Sequence, residues 1–128
     1  MNFKIDTKEK FTVINLLETT LNDNMAVVLK DTCEQFLDAE VKNIVLNMQE
    51  VAIITSSIAQ TISLLQQKFY EENASFVICR VSSEVNKVFE QEELNDFLNC
   101  TPSESEAWDI VQMEEIEREL LDGDFNDF

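Results

Sequence analysis

The chain has 128 residues, 45% apolar and 27% charged, the size and make-up of one globular domain able to bury a core without disulfide staples. Its 26 acidic residues against 9 basic ones give a formal charge of −17, a field that repels nucleic-acid phosphates and anionic lipid and sets both aside as partners. With no His and a single Gly, Gly123, the chain has no Ser-His-Asp triad, no His-based general base, no ordinary zinc site and no glycine-rich phosphate loop.

In chain order, Phe3 and Ile5 alternate with Lys4 and Asp6, and a polar turn at residues 7–10 precedes the apolar run 11–17. This reads as two short strands forming an antiparallel hairpin at a sheet edge. The linker Glu18-Thr19-Thr20-Leu21-Asn22-Asp23 then supplies capping residues for a helix. That helix carries Met25, Val28, Leu29, Phe36 and Leu37 on one face, with Thr32 and Cys33 between, and ends near Glu40. Ile44-Val45-Leu46 has the β-branched, all-apolar character of a strand covered on both sides. A second run, Val51-Ala52-Ile53-Ile54, leads directly into Thr55-Ser56-Ser57 and a helix with Ile58, Thr61, Ile62, Leu65 and Phe69 on one side. Asn73, which tolerates the left-handed conformation, marks its end.

Phe76-Val77-Ile78-Cys79 predicts the next strand, and Ser82-Ser83 caps a helix containing Val85, Val88 and Phe89. Phe97-Leu98 predicts a last short strand. Thr101 with Glu104, and Ser103 with Glu106, both have capping-box spacing, and Pro102 suits a first helical position. The terminal helix that follows has an apolar strip at Ala107, Trp108, Val111, Ile116 and Leu120, with Trp108 packed on the domain.

Strands alternating with helices imply crossover connections. The predicted fold is a single α/β domain over residues 1–121, followed by an acidic flexible tail at 122–128. It has a four- to five-stranded, mostly parallel sheet with an antiparallel edge and about four helices. Residues 90–128 hold 14 of the acids and one base, Arg118. Such a segment is either a solvated helix face with a frayed end or a docking surface for a basic partner. Cys33, Cys79 and Cys100 are far apart, odd in number and set in apolar surroundings. They read as buried reduced thiols, and neither a metal nor a cofactor is expected. The N-terminal residues lack the pattern of a signal peptide, and no apolar segment reaches the roughly 20 residues of a membrane helix, so a cytoplasmic location is expected.

The segment Lys42-Asn43-Ile44-Val45-Leu46-Asn47, continuing through Val51-Ala52-Ile53-Ile54 to Thr55-Ser56-Ser57, resembles the centre of a STAS domain, the fold of bacterial anti-sigma-factor antagonists. There a strand ending in Leu-Asp/Asn runs through an apolar loop to Asp-Ser-Ser/Thr-Gly at a helix start. Residues 76–89 resemble the later strand, serine cap and short helix of the same family, and the element order agrees over about residues 3–116. The family's Asp falls on Thr55 and its Gly on Ile58, while both hydroxyls remain as Ser56 and Ser57. The glycine pair before the later strand is replaced by Asn73-Ala74.

The resemblance implies a non-enzymatic protein-interaction regulator that binds an anti-sigma factor or serine/threonine kinase. By position it makes Ser57 the phosphoacceptor, with Ser56 and Thr55 next. Partner contact falls on Thr55, Ser56 and Ser57, and on Leu21, Asn22 and Asp23 in the loop beside them. Independently of the family, hydroxyl residues before a helix are ordinary caps. A phosphate added there meets the positive end of the helix dipole and brings about −1.5 to −2 charges. A second reading is a STAS-like subunit docked constitutively on a transporter ATPase or signalling scaffold. An enzyme would have to rely on Glu92 and Glu93 or on a lone thiol, and no base is placed beside any cysteine.

Overall fold

A polar turn between two alternating segments lets the N-terminus fold back on itself. A computed structural model describes residues 1–122, and in it β1 (Phe3–Thr7) pairs antiparallel with β2 (Thr12–Leu16). The chain continues through β3 (Thr20–Leu21), a 3-10 turn (Asp23–Met25), α1 (Ala26–Glu34) and a second 3-10 turn (Gln35–Asp38). Then follow β4 (Ile44–Asn47), β5 (Ile53–Ile54), α2 (Ser56–Glu71), β6 (Phe76–Cys79), α3 (Ser83–Gln91), β7 (Cys100–Thr101) and α4 (Glu104–Asp122). The main sheet has the order β1-β2-β4-β6-β7, parallel except for β1, and β3 with β5 forms a separate parallel pair. The expected class, five-strand sheet, antiparallel edge and four helices are all present.

The period-2 geometry of the strands divides the interior into two layers. Ile14 and Leu16 of β2, Ile44 and Leu46 of β4, and Phe76 and Ile78 of β6 pack with Leu29, Ile58, Ile62, Phe69, Val85 and Phe89 from α1, α2 and α3. Val13, Val45, Val77 and Cys79, which alternate with them, face α4 through Ala107 and Val111. Phe11 stacks on Trp108 there, with ring centroids 5.0 Å apart. Each fully buried large side chain contributes about 1.5–3 kcal/mol, so both layers are needed. Asn73 takes the left-handed conformation at φ 61° and lets Ala74 N–H reach back to the Phe69 carbonyl at 2.8 Å, closing α2 as its residue type predicts.

Four expectations are corrected. Phe97 and Leu98 are not a strand: Glu93 turns left-handed after α3, and both Phe97 and Leu98 donate to the Leu94 carbonyl. The strand forms instead at Cys100–Thr101, after the buried Gln66 side chain has clamped the loop. Gln66 accepts from Asn99 N–H at 2.7 Å and donates to the Phe97 carbonyl at 2.9 Å. The α1 segment buries Leu29, Thr32 and Cys33 but leaves Val28 exposed, because 3-10 turns at both ends shift its phase.

On α4, Ser103 caps the helix by accepting from Glu106 N–H, while Thr101 belongs to β7 and Pro102 precedes the helix. The α4 strip also departs from expectation, since Ile116 and Leu120 face outward. The helix is held there by polar contacts instead. The expected tail lies almost wholly at 123–128, outside the described residues.

Those polar contacts converge on Asn43, just before β4. Its Oδ1 accepts from Ser75 N–H at 2.8 Å, and its Nδ2 donates to the Lys10 carbonyl at 3.0 Å and to Glu115 Oε1 at 2.6 Å. Arg118 adds donors to Ser75 Oγ and Asn43 Oδ1. One amide therefore ties the starts of three strands to α4. Leaving a buried N–H without an acceptor costs about 1–3 kcal/mol. Asn43→Ala is expected to lower the urea unfolding midpoint by the equivalent of about 2–3 kcal/mol, with the denaturant slope unchanged.

Candidate functional site

The two loops that leave the sheet at the carboxyl ends of β2 and β4 are drawn together by β3 and β5. Thr20 pairs with Ile53 and Leu21 with Ile54. The Thr19 carbonyl accepts from Ala52 and Ile53 N–H, at 2.8 and 3.1 Å, and Leu21 O accepts from Thr55 N–H at 3.3 Å. Leu21 and Ile54 are buried beneath this pairing. Immediately beyond it one chain segment enters α1 and the other enters α2, so Asn22-Asp23 and Thr55-Ser56-Ser57 form adjacent parts of one corner.

Each segment caps the helical turn that it leads into. Thr55, extended at φ −91°, ψ 165°, is the N-cap of α2, and its Oγ1 accepts from Ile58 N–H at 3.3 Å. Asn22 caps the turn before α1, with Oδ1 accepting from Asn24 N–H at 3.1 Å. The sequence offers all three hydroxyls as caps; the structure gives that task to Thr55 and leaves Ser56 and Ser57 exposed in the first turn. The Ser57 carbonyl accepts from the Thr61 hydroxyl at 2.9 Å. Ile58, at the family's glycine position, is fully buried in the helix-side core and adopts no positive φ, so no glycine is required there.

Of the six expected contact residues, five are accessible. Leu21 is the exception: its side chain is wholly buried, because it is the β3 residue that anchors the loop, and it serves the corner as support. The sequence reading missed three exposed apolar side chains on the surrounding elements: Ile53 on β5, Val27 on α1 and Leu64 on α2. Leu64 was detectable, since it stands seven residues after Ser57 and out of phase with the buried Ile58, Ile62, Leu65 and Phe69. It lines a groove of about 600 Å³ between α1 and α2, together with Lys30, Glu34, Thr61 and Lys68. Lys30 and Lys68 both bond Glu34, at 2.9 and 3.1 Å. The Lys30 hydrogen bond, with Lys68 second, holds the Glu34 carboxyl below the usual carboxylate range.

The residues set aside as alternative chemistry lie elsewhere. Glu92 accepts from Gln60 Nε2 at 2.7 Å, bracing α3 against α2, and Glu93 sits in the left-handed turn that follows. Cys33 and Cys79 are buried, and burial pushes their thiols up to about 12 and about 11. Cys100 is exposed, against expectation, because it stands on the edge strand β7, yet partial desolvation of its sulfur pushes this thiol up to about 11 as well. Among the described residues no cluster of three or more Cys, Asp or Glu side chains could hold a metal ion, and no helix is long and apolar enough to cross a membrane.

Loss of a threonine N-cap costs about 1 kcal/mol. Thr55→Ala is therefore expected to lower stability by about that amount in a denaturation series, whereas Ser56→Ala and Ser57→Ala stay within about 0.5 kcal/mol of the parent. A thiol-exchange reagent should label Cys100 in the folded protein, slowly at about pH 8 and faster as the pH is raised toward its elevated pKa, and reach Cys33 and Cys79 only as the protein unfolds. Rapid modification of Cys33 in the native state would contradict its burial.

Comparison with known proteins agrees with this architecture. No curated protein matches the sequence. Among solved structures, an anti-sigma-factor antagonist (STAS) domain protein from Planctomyces limnophilus superposes with a TM-score of 0.74 at 15% identity, over 86% of this chain and 97% of that one. The anti-sigma factor antagonist SpoIIAA in its unphosphorylated form gives 0.69 at 18% identity, over 87% and 96%; the Bacillus protein is also known phosphorylated. Part of a murine solute carrier family 26 anion transporter gives 0.69 at 10% identity, over 81% of this chain and 18% of that one. These likenesses establish the fold, and the family model for the STAS domain matches residues 2–107. With that match over most of its length, the chain belongs to the STAS-domain family.

Proposed function

We propose that the chain is a non-enzymatic regulator of transcription in the cytoplasm, acting by binding an anti-sigma factor that is also a serine/threonine kinase. The observation that carries this reading is the division of labour at the start of α2. Thr55 supplies the cap, so the Ser57 hydroxyl stands exposed with no structural duty. In the unmodified state the docking surface is Thr55, Ser56 and Ser57 beside Asn22 and Asp23, with Ile53 and Leu64 as apolar neighbours.

Phosphorylation of Ser57 forms a bond between its Oγ and the γ-phosphorus of the kinase's ATP. ADP leaves, and the hydroxyl proton passes to a base on the kinase. The phosphate lies in the first turn of α2, where the helix dipole and free N–H groups tolerate it. Its charge and hydration then oppose the apolar part of the interface. A few kcal/mol of differential affinity suffices for release, about tenfold for each 1.4 kcal/mol.

A second reading, constitutive docking on a transporter ATPase or signalling scaffold, is favoured by Thr55 and the buried Ile58 where antagonists carry Asp and Gly. The two separate in one experiment: intact mass and peptide mapping of the protein from growing and stressed cells, with binding of Ser57→Asp and Ser57→Ala measured against the kinase. The switch predicts a single phosphate on Ser57. It also predicts at least about a tenfold loss of affinity for Ser57→Asp, with Ser57→Ala unaffected. No phosphate under any condition and unchanged binding by Ser57→Asp would discard the switch in favour of constitutive docking.

A further inference from the structure

Among the described residues, the outer side of α4 carries an apolar row left largely uncovered; Ile116 borders a groove with Trp108, Glu9 and Lys10. On the inner side Ala107 and Val111 are fully buried, and Glu114, Glu115 and Arg118 bond Asn99, Asn43 and Ser75. At 3.6 residues per turn, Met113, Ile116 and Leu120 fall on the side away from those residues. They are 59%, 57% and 47% exposed. Isolated exposed apolar side chains are ordinary; three aligned at i, i+3 and i+7 form the seam of a helix that packs on another surface. This row lies on the sheet face opposite α1, α2 and α3, and beyond residue 107, where the family match ends. It is therefore separate from the Ser57 corner.

Charge selects the occupant. Glu106, Asp109, Glu117 and Glu119 are exposed on the same helix. Its single base, Arg118, is turned inward to Ser75 and Asn43. Two copies of α4 facing each other would set these acids against their like, and anionic lipid would be repelled in the same way. We propose that the outer face of α4 is a second docking surface, which takes a basic amphipathic helix of a partner protein. Apolar side chains of that helix cover Met113, Ile116 and Leu120, and Lys or Arg on its flanks meet the exposed carboxylates. Because the two surfaces lie on opposite faces of the sheet, both can be occupied at once, and the domain links two partners.

The test uses the full chain and two fluorescently labelled Leu/Lys peptides of about 18 residues. They have one composition, with one patterned as an amphipathic helix and the other scrambled. The patterned peptide is expected to bind at least about tenfold more tightly. The variant Met113→Gln/Ile116→Gln/Leu120→Gln, which keeps charge and helix propensity, should erase that preference, and Ser57→Asp should leave it intact. Folding of each variant is checked by its urea midpoint. Equal binding of both peptides, or a preference that survives in the triple variant, overturns the proposal. So does a concentration-dependent dimer in sedimentation that the triple variant abolishes, which would assign the row to a second copy of the chain.

Discussion

The architecture depends on β4 being enclosed on every side. Its backbone is paired with β2 on one edge and β6 on the other, and all four of its residues are buried. Ile44 and Leu46 belong to the layer under α1, α2 and α3, and Val45 to the layer under α4. A strand with no solvent face forces helices onto both sides of the sheet, and everything else follows from where those helices can start. Because β2 and β4 run parallel, their following loops emerge at the same end, close enough for β3 and β5 to pair. That small pairing aligns the first turns of α1 and α2 and so creates the corner.

The corner separates stability from recognition. Thr55 caps α2 and Asn22 the 3-10 turn before α1, and Leu21 and Ile54 hold the loops down. Ser56, Ser57 and Asp23 are left on the surface without structural work. A residue in that position can change its chemistry at small cost to the fold, which is what a modification switch requires. The replacement of the family's Asp by Thr keeps the capping function, since either side chain can accept the N–H. Ile58 adds a buried side chain where a glycine would contribute none.

The opposite face follows different physics. α4 is anchored at its start by Ala107, Val111 and the Phe11–Trp108 stack, and further along by the Asn43, Glu115 and Arg118 hydrogen bonds. Polar anchoring of the second half frees its apolar side chains to face outward. The acidity of this region is therefore divided: some carboxylates serve as hydrogen-bond acceptors against the sheet, and the rest line an exposed apolar row.

Much of this was legible along the chain because its signals are local. The all-apolar Ile44-Val45-Leu46 and Phe76 to Cys79 segments, the alternation at Phe3 and Ile5, the turn at Asn73 and the hydroxyl cluster at 55–57 each depend on a few neighbours in sequence. So do the exclusions drawn from the absence of His and the single Gly. The misplaced features are those decided by partners distant in sequence. β3 and β5 are too short to stand out until they pair across some 30 residues. β7 begins where it does because Gln66, 33 residues earlier, clamps Asn99. Leu21 reads as a loop residue and is core because β5 and the adjoining helices cover it. Ile116 and Leu120 read as core and face outward because Asn43, Ser75 and Arg118 set the rotation of α4. By itself the sequence determined the class of fold, the element order and the chemistry available at the helix start. Which hydroxyl caps, which stands free and which apolar face is left uncovered were decided only in three dimensions, because hydrogen-bond partners and burial are properties of the packed chain.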